Sequence, residues 1–166
     1  MKKLIALSML LSTAIFISCG DDDDTSTVAL SGNVTFGGQS YTISSGILTE
    51  TLTSSGVEGQ FFLADGTITA SGGGASSSDS EIIIAVRAIS EGSTTIDNGS
   101  YEVNRQVTSQ YAFVTVTAGS SSSVQSFVGG TIDISGADNT YSLTFNDVTF
   151  GGGIGLTGSV NGTFAN

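Results

Sequence analysis

Few side chains in this chain of 166 residues are equipped for chemistry. There is one cysteine, Cys19, and no histidine, tryptophan or proline. The basic residues are Lys2, Lys3, Arg87 and Arg105, set against 15 acidic ones. Without histidine, general acid–base work falls to carboxylates and tyrosines, and it needs two titratable groups in different environments. Asp65, Asp97, Asp133, Asp138 and Asp147 fall mostly in turn-like or outward strand positions, and no pair stands out as in a two-carboxylate glycosidase. The sequence therefore predicts no catalytic residues and no enzyme. Transition metals prefer histidine or cysteine ligands, which leaves calcium as the one ion to weigh. Its weak candidates are Asp97 and Asp138, each followed by asparagine, a pattern that turn chemistry already explains. No cofactor is expected beyond that possible calcium.

Cys19 has three readings: a buried thiol, a nucleophile, or a lipidation site. No histidine exists to activate a nucleophile, and the residue sits between an apolar stretch and four aspartates. Ahead of it, Met1-Lys2-Lys3 is basic and Leu4 to Ile17 is apolar apart from Ser8, Ser12 and Thr13. Those 14 residues fall short of the roughly 20 that span a bilayer, and they describe a secretory signal peptide. Phe16-Ile17-Ser18-Cys19 resembles the lipobox of bacterial lipoproteins, with Phe16 and Ser18 where Leu and Ala or Gly are commoner. The resemblance implies cleavage before Cys19, a diacylglyceryl thioether on its sulfur and acylation of the new amine. More than one acyl chain anchors firmly.

Asp21-Asp22-Asp23-Asp24 reads physically as a solvated, self-repelling spacer. The run is also similar to the acidic export signal of Bacteroidetes lipoproteins, without the Lys or Gln-Ala that often precedes the acids. That similarity implies an outer-membrane protein exposed at the cell surface. The expected organisation is a signal peptide over 1–18, a lipidated cysteine with an acidic tether over 19–29, and one domain over 30–166.

The mature chain would carry 2 − 15 = −13 formal charges. Such a surface opposes binding to nucleic acid or to anionic lipid; the membrane partner is reached through the lipid alone. With Cys19 modified no disulfide is available, so stability must come from core burial and strand pairing.

Downstream, short β-branched runs alternate with polar residues and are punctuated by Gly, Ser, Asn and Asp, an all-β pattern. Gly37-Gly38 and Asp65-Gly66 read as hairpin turns. Gly46, Gly129-Gly130 and Asn146-Asp147 read as bulges or bends. The glycine-rich stretch at 72–74 lacks the lysine of a phosphate-binding loop. Glu81 to Ile89 is apolar on both faces except at Arg87, as in a central strand. Nine or ten strands joined by turns predict an antiparallel β-sandwich of jelly-roll type, with a lipocalin-like barrel as the alternative.

Segments such as Asn98-Gly99-Ser100-Tyr101-Glu102-Val103, Thr140 to Phe145 and Leu156 to Phe164 resemble strands of small Bacteroidetes lipoproteins of unknown function. Three functions remain open: a surface module binding a glycan or protein, a structural envelope lipoprotein, or a carrier of an apolar ligand. Arg87, Arg105, Tyr101 and Tyr111 are the ligand-binding candidates, and Tyr41 and Tyr141 complete the set of tyrosines that could substitute for tryptophan as stacking platforms.

Overall fold

The computed structural model describes residues 29–71, 74–103, 108–119 and 127–166. Cys19, Asp21 to Asp24 and Arg105 lie outside the described residues. Among the described residues the chain is all-β, with one 3-10 turn, Gly151–Gly153. Its strands are β1 (Ala29–Phe36), β2 (Gln39–Leu52), β3 (Gly56–Ala64), β4 (Thr69–Ser71), β5 (Gly74–Ser76), β6 (Ile82–Glu91), β7 (Gly99–Val103), β8 (Gln110–Ala118), β9 (Phe127–Ala137), β10 (Thr140–Phe150) and β11 (Gly155–Thr163).

Nine strands close into a barrel in the order β1-β11-β10-β9-β7-β8-β6-β3-β2, while β4 and β5 form a separate small hairpin. This corrects the sandwich expectation. The two ends of the domain meet: β1 pairs with β2 through Asn33 and Thr42, and on its other side with β11 through Asn33 and Ser159. Closure satisfies both edges of β1, which a sandwich would leave half open. A simple meander is also corrected, because β7 lies between β8 and β9 and runs parallel to β8.

The turns follow residue chemistry. Gly37 (φ 59°) and Gly38 (φ 85°) join β1 to β2, and Asp138 (φ 49°) and Asn139 (φ 64°) join β9 to β10. Two successive positive φ values suit the right-handed twist of the flanking strands, and Gly, Asn and Asp tolerate them best. Asp65-Gly66 is not a tight hairpin. Asp65 Oδ1 instead accepts the amides of Glu81 (2.9 Å) and Ile82 (3.1 Å), fixing the start of β6. The expected shift in β10 is present, where the register slips between Phe145 and Val148 and Asp147 takes φ 50°.

The interior is filled. Every barrel strand contributes, among them Val34, Leu48, Phe61, Ile84, Tyr101, Val114, Ile132, Leu143 and Val160. At the end bearing the β1–β2 and β10–β11 turns, Phe36 and Phe150 meet edge to face at 5.6 Å. At the opposite end, two side chains from outside the strands push inward. Ile96 sits over Gly59, where a Cβ would collide with it, and Phe164 sits with Leu30 over Gly46, where a Cβ would collide with Leu30 and crowd the Phe164 ring. Each glycine supplies the room that its plug occupies.

Candidate functional site

The plugged end also carries an open depression of about 560 Å³. It is built from the end of β2, the connection between β6 and β7, the β9–β10 turn and the start of β10, and its lining includes Glu50, Ile96, Asp97, Asn98, Asp138 and Tyr141.

Tyr141 forms its inner wall. The residue alternates inward with Leu143 and Phe145 on β10, and its ring packs edge to face on Phe61 at 5.4 Å. Its hydroxyl donates to Glu50 Oε1 at 3.3 Å. Burial, and next the neighbouring Glu50 carboxylate, push the phenol up to about 12. The group therefore stays protonated, a donor, across the ordinary pH range.

Buried hydroxyls hold the β6–β7 connection in place. Tyr101 hydroxyl donates to the Asp97 carbonyl at 2.7 Å and lies 2.7 Å from Ser90 Oγ. Ser90 Oγ in turn accepts the Asp97 amide at 3.1 Å. Ser90 and Tyr101 are fully interior, so each polar atom needs this partnership. Asn98 Oδ1 accepts the Gly136 amide at 2.7 Å and ties the connection to the end of β9. The Asp97 carboxylate accepts from Ser93 Oγ at 2.8 Å.

The structure thus brings together Asp97 and Asp138, the two calcium candidates, and adds Glu50, which the sequence did not single out. Among the described residues, no group of three acidic side chains is placed to hold a metal ion. What the depression offers is negative charge beside a protonated phenol.

The other candidates are scattered. Tyr101 is a correction: it is wholly interior and serves the network above, and burial raises its phenol. Tyr111 and Arg87 share the outer face of β6 and β8. Tyr111 is only 8 % exposed and meets Phe113 edge to face at 5.9 Å. Arg87 lies 5.7 Å from the Phe113 ring centre and donates to Glu58 Oε2 at 2.6 Å, so it is an ion-paired, stacked arginine on the barrel wall. Tyr41 packs partly buried against the core. Sequence reasoning missed Ile96, although an apolar residue inside the polar run Ser93-Thr94-Thr95 was a signal for a plug.

No protein-family model, curated protein or solved structure matches this chain.

Proposed function

We propose that this chain is a lipid-anchored envelope protein, displayed at the outer surface of the outer membrane, whose barrel is a non-enzymatic binding or adhesion module. The observation that carries the binding part is the filled barrel. With Phe61, Tyr101, Phe145 and Phe164 occupying the interior, contact with a partner is left to the outer wall and the end depression. The carrier reading gains no support from an interior packed with side chains. The lipid part rests on the signal-peptide pattern and the lipobox resemblance at Cys19. Described strand β1 begins at Ala29, at the end that bears the depression, so the proposed tether joins the barrel there.

Cys19→Ala separates this reading from a secreted soluble one. Labelled fatty acid should be lost from the protein, and the protein should leave the membrane fraction. Persistent labelling and membrane retention in that variant would overturn the anchor. Replacing Asp21 to Asp24 with asparagine should lower protease accessibility on intact cells; unchanged accessibility removes the run as an address.

A further inference from the structure

We propose that the open edge of β2 at Gln39–Ser44 pairs with the same edge of a second copy, and that this pairing joins copies anchored on two facing surfaces. The inference deepens the adhesion reading by naming the partner, and its facing-surface part rests on the anchor proposed at Cys19. β2 has β1 on one side from Gln39 to Ile43, but it has β3 on the other only from Ser45 onward. β3 ends at Ala64, and the chain leaves past Ser44, whose Oγ donates to the Asp65 carbonyl at 3.1 Å. Among the described residues, no other segment bonds the open side of Gln39–Ser44.

The backbone of that stretch is directed outward at alternate residues. The two-residue Gly37-Gly38 turn makes Phe36 and Gln39 a bonded pair, and the register to β1 then runs unbroken to Ile43. Bonding alternates along an antiparallel strand, so Gln39, Tyr41 and Ile43 direct their N–H and C=O groups to β1, while Ser40 and Thr42 direct theirs to the open side. A row of such groups held extended is a template for another strand. Edges are commonly blunted by charge or proline. The far end of β2, Thr49–Leu52, carries Glu50, whereas Gln39–Ser44 carries neither. Tyr41 and Ile43 pack against the core and hold the edge in place before any partner arrives.

A second copy fits this edge. Two identical edges pair antiparallel about a two-fold axis. The chain leaving β3 beside Ser44 stops the Gly37-Gly38 turn of the second copy from passing it, so the register centres on Ser40. Ser40 then faces Ser40 of the second copy, Gln39 faces Tyr41, and Gly38 faces Thr42. No carboxylate lies in that seam. Residues 29–166 hold 15 − 4 = 11 acidic and two basic side chains, so each domain carries 2 − 11 = −9 formal charges and can approach its copy only along a neutral line. Direction follows from topology. β1 runs from Ala29, at the tether end, to the Gly37-Gly38 turn at the other. Antiparallel pairing of the turn ends sets the two tethers at opposite ends of the pair. Copies rooted in one membrane stand side by side and do not meet this way, whereas copies on two facing membranes do. Many weak pairs across one contact then act together.

Light scattering from the detergent-solubilised full chain reads the pairing, and turbidity of phosphatidylcholine vesicles carrying that chain reads the facing arrangement. Dimers should form as concentration rises, more readily with added salt because the domains repel, and the vesicles should aggregate. Ser40→Pro removes an N–H that points to the open side and leaves the β1 ladder whole. Ser40→Glu sets two carboxylates opposite one another across the axis. Each should weaken dimerisation at least tenfold and leave the vesicles dispersed, and two variants of different chemistry keep the test decisive if one fails to fold. Thr144→Glu, on the outside of β10, should behave as the parent does. A parent that stays monomeric at every concentration, or dimers that survive both Ser40 substitutions, overturns the proposal. Dimers in detergent beside dispersed, protein-loaded vesicles overturn the facing arrangement. A chain that dimerises but does not enter vesicles supports the edge pairing and overturns the anchor reading instead.

Discussion

The two walls of the barrel share an interior and differ on the outside. On β3, β6 and β8 the outward positions include Phe62, Ile83, Ile89, Tyr111 and Phe113, with Arg87 and Glu58 paired among them. On β1, β10 and β11 they are mostly Ser, Thr and Asn, with Asp147 in the β10 bulge as the acidic exception. The first wall gains burial on both faces, and Tyr111 is nearly as hidden as a core residue although it points outward. The second gains burial on its inner face alone, and there several inner positions are glycine. Gly158 (φ 120°) leaves no room for a side chain: a Cβ would stand 2.3 Å from the Asn33 carbonyl oxygen. Strand approach, not side-chain contact, holds β11 to β1 at that point. One wall is thus stabilised partly by its outer surface, and the other by its interior and its backbone pairing.

That contrast is broken most severely from inside the polar wall. Gly158→Val forces a side chain into backbone at a φ that favours glycine, and should cost about 3 kcal/mol or more, read as a lowered denaturant midpoint. Next comes the outer side of the mixed wall. Tyr111→Ala should cost about 2 kcal/mol, whereas Thr144→Ala on the polar wall should stay within about 0.5 kcal/mol. Equal costs at the two positions would erase the distinction between the walls.

A smaller effect tests the end that both walls share. The Tyr141 phenol is raised from 10.0 to about 12 in the folded chain. The unfolded chain therefore releases this proton first. Stability should be unaffected below pH 10 and fall as pH climbs from about 10 to about 12, and Tyr141→Phe should flatten that limb of the curve. The smallest effect is the Arg87–Glu58 pair, whose arginine side chain is 52 % exposed. A double-mutant cycle should give about 0.5 kcal/mol, shrinking with added salt. Glu58 is held below its usual range chiefly by the Arg87 hydrogen bond, so this contribution is present at neutral pH and lost as pH falls through that lowered value.

Much of each strand was legible because alternation is local. Tyr111 to Ala118 and Tyr141 to Phe145 face as their spacing predicts, and the Asn146-Asp147 bulge was marked by the phase change. Closure was not legible. Inward and outward positions alternate identically in a sandwich and a barrel, and the contact that distinguishes them joins β1 to β11 across the length of the domain. The parallel insertion of β7 was hidden for the same reason. Asp65-Gly66 misled because the Asp65 carboxylate serves a strand start distant in sequence. At the depression, Asp97 and Asp138 carried a signal as turn residues. Glu50 carried none, since a carboxylate at a strand end reads as solvated. Tyr101 was misjudged although its alternation with Val103 pointed it inward.

The claim that the two walls join into one closed barrel through β1 is tested most directly by nuclear Overhauser contacts between backbones across its two edges. The account predicts contacts of Asn33 with both Thr42 and Ser159. Contact of Asn33 with Thr42 alone, and none with Ser159, would contradict closure and restore an open sandwich.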